Sequence, residues 1–487
     1  MESSAKTPPL TVRLQTIYGI GQVAEGVKNG AFGIFLFFYF NQVLGLSGSL
    51  SGLALLIALV VDAIVDPMVG SISDSFRHRW GRRHPFLYVS AVPMAVSFAF
   101  LFSPPAGLDQ LGLFLWLTTF TILVRFWLAV FIVPHLALGA ELSTDYRQRT
   151  TVVAYRTLFA LLGVLLVVAL AWPMFFSPTA EFPNGQLNPG AYPGFGVFYG
   201  VLIGVAILFS AAGTHGRIPH LPPVPDHFEK FSPGRVYREI IETLSNASFR
   251  ALFIGVVIFF VMRGIQETLG LHMQTYFWQL EPERIRLLQL AGVVGFIPGI
   301  VFWTFLARRI DKKPTLVIGT ILFSLCVLTP PIAHLLGHFP ERGTSLYLGL
   351  LLLAGGAGAF AAAGALVAAG SMMADVADEH ELATGRRQEG IFFGSVTLAL
   401  KSASGIGHGV AGLAMDLIRF PAQAVPGSVD PEVLQSLGIL YGPGIGLLAA
   451  IAIFALNGYS LDSRRHAEIV AALGRRADAG QESRASA

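Results

Sequence analysis

The residues with the clearest chemical potential in this sequence are two carboxylates, Asp62 and Asp66, inside an otherwise apolar run from Leu50 to Ile72. Four residues make about one helical turn, so both side chains lie on one face of one helix. Neighbouring carboxylates in a low dielectric resist being ionised together, so the pair favours binding a cation or sharing a proton. We predict a site for a coupling ion, either a proton or sodium. The alternative is an acid pair held by Arg or Lys of neighbouring helices.

A second polar pair, Thr397 and Lys401, has the same four-residue spacing in another apolar run. Lys401 would neutralise the acids when no ion is bound and be displaced when an ion arrives, which would couple ion occupancy to conformation. We predict Asp62, Asp66, Thr397 and Lys401 as the cation-coupling residues, with Asp62 and Asp66 as metal ligands if the ion is sodium. The alternative for Lys401 is a side chain that extends to the membrane surface.

Other apolar runs also contain ionisable groups, which are costly at membrane depth. Each of them therefore needs either a pairing partner or a functional role. Helical spacing would also allow Glu25 with Lys28, and Arg263 with Glu267, to neutralise each other. The alternative to a binding role is therefore a set of structural pairs. The candidate substrate-binding residues are Glu25, Lys28, Asn29, Arg125, Trp127, Arg156, Arg263, Gln266 and Glu267.

A basic loop follows the acid pair and ends at Pro85. Asp74, at the end of the preceding helix, can hold this loop through charged hydrogen bonds. We predict a latch that stabilises one conformational state, although the arginines could instead be mere markers of topology. The predicted latch residues are Asp74, Arg82, Arg83, Glu141, Arg149 and Arg387.

The elements that position these residues are long apolar helices. The chain has 487 residues, of which 53% are hydrophobic and only 13% are charged, and its mean hydropathy is +0.63. Apolar runs of about 20 residues or more are typical of membrane-spanning helices. We therefore predict an all-α membrane protein with about twelve transmembrane helices. The predicted spans are 17–44, 50–72, 85–104, 110–141, 151–176, 195–214, 250–280, 287–309, 314–336, 345–375, 389–420 and 437–460.

The loops indicate two related halves. The segment that follows the second span, SDSFRHRWGRRHP, matches LARRIDKKP after the eighth, and LGAELSTDYRQRT matches MMADVADEHELATGRRQEG. Basic residues concentrate in these loops, which places both termini in the cytoplasm of a multi-pass cell-membrane protein, the inner membrane in a bacterium. The predicted domains are a six-helix bundle 1–214, a cytoplasmic loop with an amphipathic helix 215–249, a second six-helix bundle 250–460 and a cytoplasmic tail 461–487.

Several other functions lack the expected signatures. His380–Glu381 has no second histidine at the spacing of a zinc motif, and the sequence has no phosphate-binding P-loop. The single cysteine, Cys326, allows no internal disulfide. We expect no enzyme activity, no cofactor beyond the coupling ion and no nucleic-acid partner. We expect a monomer in the bilayer that binds a small molecule.

The motifs together resemble the glycoside–pentoside–hexuronide:cation symporters, the melibiose-permease-like family of the major facilitator superfamily. The resemblance covers nearly the whole chain and rests on YGIG at Tyr18, LGLS at Leu44, DAIVDP with GRRHP, the loop from Glu141 to Arg149, and GRRQEG before Lys401. It implies two pseudo-symmetric six-helix bundles in the major facilitator fold. It also implies that Asp62, Asp66 and Thr397 bind the coupling cation beside Lys401, and that Arg156 lies near the sugar.

The chain departs from this family at four positions. Gly26 and Ile132 stand where sugar carriers of this type have aspartates, and Ala129 and Val65 stand where they have a threonine and an asparagine near the sodium. We expect cation-coupled symport of a sugar or glycoside by alternating access. The alternatives are the same fold with a non-sugar substrate such as a lysolipid or other amphiphile, a non-transporting membrane sensor, and, more remotely, a membrane enzyme.

Overall fold

The computed structural model describes residues 10–143, 145–221, 246–384 and 389–485, and the protein is helical over nearly all of them. The α-helices, in chain order, are α1 Val12–Ile20, α2 Val23–Ala31, α3 Gly48–Ser75, α4 His84–Leu101, α5 Gln110–Glu141, α6 Tyr146–Met174, α7 Ala191–Thr214, α8 Ala247–His272, α9 Pro282–Ile310, α10 Lys312–Leu335, α11 Ser345–Thr384, α12 Glu389–Leu417, α13 Pro431–Ile439, α14 Ile445–Leu456 and α15 Ser463–Ala485.

Each predicted span falls on one of these helices or on a helix pair. The predicted span 110–141 coincides with α5, which begins after the N-cap Asp109, whose carboxylate accepts the N–H of Gly112 at 2.8 Å. The first span is interrupted at Gly21 and Gln22, between α1 and α2. Four π-helical turns continue the helices: Phe32–Leu36, Tyr39–Val43, Met273–Phe277 and Leu440–Gly444.

Ten helices of the described residues are long and apolar enough to cross a membrane. Their exposed surfaces carry many large apolar side chains, as on Val60, Ile64, Val301, Phe305 and Phe454. A surface of this kind suits a lipid solvent, where the backbone groups must be satisfied within each helix. The chain is therefore a multi-pass membrane protein.

The chain divides into two compact units. The first unit comprises Met1–Phe231, Glu267–Arg286 and His408–Val429. In it α3 packs against α5, α2 against α6, and α4 against α7. It also contains the ends of α8 and α12. At the end of α8, His272 Nε2 lies 3.1 Å from Asn41 Oδ1 in the first span.

The second unit comprises Ser232–Gln266, Leu287–Gly407 and Asp430–Ala487. In it α10 packs against α11 and α14, and α15 packs against α11. The unit boundaries thus cut through the predicted domain 250–460, and most of the predicted loop 215–249 lies outside the described residues. The predicted tail 461–487 carries the 23-residue helix α15, which is longer than the short surface helix expected there.

Candidate functional site

The acid pair of α3 faces an arginine of α5. Arg125 Nη1 lies 3.2 Å from Asp62 Oδ2, and the two side chains are 11% and 9% exposed. Asp66, one helical turn after Asp62, is close enough for its charge to act on Arg125 as well. The sequence offered two interpretations of the acid pair, and in this structure Asp62 has an arginine partner from a neighbouring helix. Among the described residues, the site thus joins two carboxylates and one guanidinium, with Asp62 buried and Asp66 partly exposed.

A single aromatic ring of the first span connects this cluster to a second cation. The ring centroid of Phe32 lies 5.7 Å from Arg125 Cζ and 5.6 Å from Lys28 Nζ, within the range of cation–π attraction. Lys28 is buried and donates to Asn29 Oδ1 at 2.6 Å. Glu25, one turn earlier, is partly exposed. Residues from the first span, α3 and α5 therefore meet at the acid pair.

An apolar cluster lies beside the acids. Val69, Ala129 and Val130 are buried together, with Val65 and Trp127 packed against them. Trp127 follows Arg125 by two residues, which is about 200° around a helix, so the two side chains lie on different faces. The structure therefore places Trp127 in apolar packing and away from the Arg125 guanidinium. Val65 and Ala129, which replace polar residues of the resembled family, belong to the same apolar packing.

The first span crosses α6 too closely for any side chain at Gly26. A Cβ at this position would lie 2.0 Å from the carbonyl oxygen of Ala160, and a Cβ at Gly163 would lie 2.8 Å from Gly26 Cα. The two glycines therefore allow backbone-to-backbone contact, as small residues do between membrane helices. An aspartate has no room at position 26. Arg156, on the same helix α6, is partly exposed.

A histidine that the sequence analysis did not consider, His408 of α12, belongs to this unit. Its Nδ1 lies 2.6 Å from Thr268 Oγ1 of α8, and Glu267 and Arg125 are close enough for their charges to act on its ring. A signal was present in the sequence, since position 408 follows Lys401 by seven residues, or about two helical turns, and so shares its helix face. The Thr397 and Lys401 side chains themselves lie outside the described residues.

Two further predicted candidates belong to the second unit. Arg263 Nη1 donates to Gln266 Oε1, and the Arg263 guanidinium lies 5.9 Å from the ring centroid of Phe323. Glu267, the next residue along α8, is assigned to the first unit. The predicted binding residues of α8 are therefore divided between the units.

The predicted latch residues after α3 form an ion network in the first unit. Arg82 Nη2 and Arg83 Nη2 each lie 2.8 Å from Glu141 Oε1, and Arg83 Nη2 also lies 2.5 Å from Asp74 Oδ1. Arg83 donates to Ser73 Oγ at 2.9 Å as well. The structure thus brings four of the six predicted latch residues together.

The other two predicted latch residues, Arg149 and Arg387, are not seen in that network. Arg149 donates from Nε to the carbonyl oxygen of Ser143 at 2.9 Å, and Arg387 lies outside the described residues. Among the residues that the structure describes, no group of three or more His, Cys, Asp or Glu side chains is arranged to hold a metal ion. A sodium ion at Asp62 and Asp66 would therefore need further oxygen ligands of another kind.

Comparison with protein families gives one match over most of the chain. Residues 17–463 match the model of the family described as MFS/sugar transport protein. The matched range contains the acid pair, Arg125, the latch and His408.

Three curated relatives match over most of their length. The putative glycoside/cation symporter YagG of Escherichia coli is 24% identical over 94% of this chain and 93% of its own. The isoprimeverose transporter of Lactiplantibacillus pentosus is 24% identical over 90% and 86%, respectively. The sphingosine-1-phosphate transporter MFSD2B of Xenopus tropicalis is 22% identical over 96% and 91%.

A solved structure shares the fold. The crystal structure of a mutant of the nucleoside transporter NupG superposes with a TM-score of 0.62 at 13% identity, covering 91% of this chain and 99% of that one. At this identity the likeness concerns the fold alone. The predicted major facilitator fold is confirmed.

Proposed function

Because this chain belongs to the MFS/sugar transport protein family, we propose that it is a proton-coupled symporter of a sugar or glycoside that works by alternating access. The family match confirms the resemblance drawn from the motifs. The chain is a membrane transporter of a small molecule and not an enzyme. The choice of substrate and ion is our proposal, and the names of the glycoside/cation symporter and the isoprimeverose transporter support the substrate class.

The ion pair between Asp62 and Arg125 is the observation that carries this proposal. Asp62 is the fifteenth residue of the 28-residue helix α3, which puts the pair near the middle of a membrane-spanning segment. Charged groups at that depth are costly and mark ion or substrate pathways. A proton on Asp62 would break its ion pair with Arg125 and leave only the charge of Asp66 acting on the arginine, so the guanidinium could donate to substrate hydroxyls. Proton binding would thus create the substrate site, which is how two ligands become coupled.

The surroundings of the acids favour a proton over sodium. Hard cations need several oxygen ligands around them. The side chains beside the acids at positions 65 and 129 are Val and Ala, and both pack into the apolar cluster with Val69 and Val130. A proton needs only one carboxylate oxygen. We therefore assign the coupling ion as a proton.

Uptake into proteoliposomes tests this assignment. Radiolabelled isoprimeverose and a panel of other mono- and disaccharides would be offered under an imposed pH gradient, an imposed sodium gradient, or neither. We expect accumulation with the pH gradient only, and its loss in Asp62→Asn and Asp66→Asn. Glu181→Gln is the control variant: it removes one carboxylate from an exposed loop and leaves the acid pair unchanged.

Three outcomes would contradict parts of the proposal. Accumulation driven by sodium alone would replace the proton by sodium. Gradient-driven accumulation that persists in Asp66→Asn would remove the acid pair from the coupling step. No flux of any tested compound, together with full tolerance of Asp62→Ala, would favour a membrane sensor.

A second candidate substrate is an amphiphile such as a lysolipid. Two observations favour it: the relative named as a sphingosine-1-phosphate transporter, and the steric exclusion of an acid from position 26, where sugar carriers of the resembled type have one. Binding of a sugar panel and of lysophospholipids to the purified protein, measured by thermal shift, separates the two. Stabilisation by lysophospholipids alone would replace the sugar assignment.

The proposed setting is a cell membrane, the inner membrane in a bacterium, with both termini in the cytoplasm. The basic loops after α3 and α9 support this orientation, because positively charged loops remain on the cytoplasmic side. We propose that one chain suffices for transport, since the acid pair and its arginine belong to one unit of one chain.

A further inference from the structure

The proposed coupling step leaves His408 unused, although it lies in the same unit as the acid pair. Another buried histidine of the first unit, His135, has a structural role. His135 is fully buried and both its nitrogens are bonded: Nδ1 to Gln22 Nε2 at 2.9 Å, and Nε2 to the Tyr18 carbonyl oxygen and to Ser210 Oγ at 3.1 Å each. His408 is partly exposed, and only its Nδ1 has a hydrogen-bond partner among the described residues. Its Nε2 is therefore available to a ligand.

The backbone at His408 is fixed against the helix that carries the acids. A Cβ at Gly52 of α3 would lie 2.7 Å from the His408 carbonyl oxygen, and a Cβ at Gly412 would lie 2.1 Å from the Gly48 carbonyl oxygen. The two helix backbones are therefore in direct contact over more than one turn. Close contact of this kind leaves little freedom to the helix segment that holds the imidazole.

Charged groups reach the imidazole from two other helices. Glu267 of α8 and Arg125 of α5 both act on it electrostatically, and Thr268 of α8 holds its Nδ1. Arg125 is also the partner of Asp62. The imidazole therefore shares one polar environment with the ion pair that we assign to coupling.

We propose that His408 is a further substrate-binding residue, with Nε2 bonded to a hydroxyl of the sugar or glycoside and Thr268 as the residue that positions the ring. This inference rests on the proposed function. Neutral imidazole offers one donor and one acceptor nitrogen, which suits a hydroxyl that both donates and accepts. Because Nδ1 is bonded to Thr268, the substrate contact falls to Nε2.

Among the described residues, the charged or hydroxyl groups facing the ring are Glu267, Arg125 and Thr268. The variants below therefore change the imidazole itself and the threonine that holds it.

Exchange transport measures this contact without net proton movement. Proteoliposomes loaded with unlabelled isoprimeverose would exchange it for external labelled isoprimeverose. We expect His408→Ala to raise KM about five- to tenfold, the loss of one hydrogen bond, with little change in the maximal rate. His408→Gln should keep a KM near that of the wild type, because its amide also offers a donor and an acceptor. Thr268→Val should raise KM about two- to threefold, because only the orientation of the ring is lost.

The opposite results overturn the proposal. A KM within twofold of wild type in His408→Ala, or a KM in His408→Gln as high as in His408→Ala, would mean that the imidazole does not bond to the substrate. If the wild type carries no sugar, the proposed function fails. Carbethoxylation of the purified protein by diethyl pyrocarbonate still tests whether the His408 Nε2 atom is accessible. An accessible Nε2 predicts that His408 reacts faster than the fully buried His135 and His272. Equal or slower modification of His408 would overturn the inference.

Discussion

Two loops of the molecule, one in each unit, share a sequence pattern and a backbone conformation but hold different ion networks. The loop after α3 contains GRRHP and the loop after α9 contains DKKP. Gly81 has φ +70° and Asp311, at the equivalent position, has φ +76°. Glycine adopts this region at no steric cost, whereas for other residues it is strained. Equivalent loops thus use a permissive residue in one unit and a strained one in the other.

The basic residues that follow Gly81 and Asp311 form ion pairs with acidic residues of another helix in the same unit. In the first unit Arg82 and Arg83 meet on Glu141 at 2.8 Å each. In the second unit Lys312 Nζ lies 2.7 Å from each carboxylate oxygen of Asp375. Guanidinium groups form rigid, planar, multidentate contacts, whereas the ammonium is a compact point charge on a flexible stem. The first network is therefore the more rigid of the two.

The second network compensates by recruiting the last helix. Asp311 Oδ1 accepts the N–H of Lys312 at 2.7 Å and its Oδ2 accepts the N–H of Ser463 at 2.9 Å, at the beginning of α15. His466 Nε2 lies 2.9 Å from Asp378 Oδ2 and 3.4 Å from Asp375 Oδ1. The strained residue thus holds α15 in place. The loop after α3 is therefore held by ion pairs with Asp74 and Glu141, whereas the loop after α9 is also held by contacts with α15.

Removal of the shared acid in the first network should have the largest effect. Glu141→Gln removes the shared acid from the Arg82 and Arg83 side chains, only 10% and 5% exposed, and leaves Arg83 with the partly exposed Asp74 alone in this network. We expect a loss of about 3–5 kcal/mol in the free energy of unfolding in detergent, because a buried charge without its partner is costly. Asp74→Asn is the control: the Asp74 side chain is 44% exposed, so a loss of at most about 1 kcal/mol is expected. Equal losses in both variants would contradict the assigned role of Glu141.

Removal of the acid in the second network should cost less. In Asp375→Asn the lysine keeps contact with water, since the Lys312 side chain is 31% exposed. We expect a loss of about 1.5–3 kcal/mol in the free energy of unfolding, the range of a hydrogen bond to a charged group. The same variant should speed proteolysis within α15, because His466 also loses a partner. A loss as large as that of Glu141→Gln would mean that the two acids contribute equally to stability, despite the greater exposure of Lys312.

The sequence predicts the helices well and their neighbours poorly. Hydropathy locates the spans because a helix in lipid needs an apolar length: among the described residues, ten of the twelve predicted spans coincide with helices long and apolar enough to cross a membrane, and α5 has both predicted ends. The helical period also groups Asp62 with Asp66. It does not tell which neighbouring helix faces them, so the sequence does not identify Arg125 as the partner of Asp62. His408 shares a helix face with Lys401, but only its contacts with α8 and α5 distinguish it from other histidines in apolar runs.

A side chain at Gly81 tests the conformation that the two loops share. Gly81→Ala should cost about 1–2 kcal/mol of unfolding free energy, since a β-carbon disfavours φ near +70°. The added Cβ would also lie 3.3 Å from Ile218 Cγ2. Gly216→Ala is the matched control in the same unit, with no atom within 4 Å of its Cβ. An unchanged stability in Gly81→Ala would mean that φ near +70° carries no penalty for a residue with a side chain at this position. The same conclusion would then extend to Asp311.

The reverse substitution at the equivalent position should change stability least. Asp311→Gly relieves a strained backbone, worth about 1–3 kcal/mol, but removes the acceptor for the N–H groups of Lys312 and Ser463. These effects oppose each other, so we expect a net change of unfolding free energy within about 1 kcal/mol. The first turn of α15 should nevertheless exchange its amide hydrogens faster than in the wild type. Unchanged exchange there would mean that Asp311 does not hold the helix.

The attachment should also depend on pH in a direction set by Asp311. Burial raises the pKa of the Asp311 carboxyl, but the N–H groups of Ser463 and Lys312 and the Lys312 charge outweigh it and lower the pKa below its ordinary value. A lowered pKa contributes stability above the unfolded value of about 3.9 and loses it as the pH falls through the folded value. Exchange at Ser463 and its neighbours, corrected for the intrinsic rate, should therefore be constant above about pH 4 and rise below it. Asp311→Asn should abolish this step, because an amide has no charge to lose. A step that persists in Asp311→Asn would mean that Asp311 does not control the attachment.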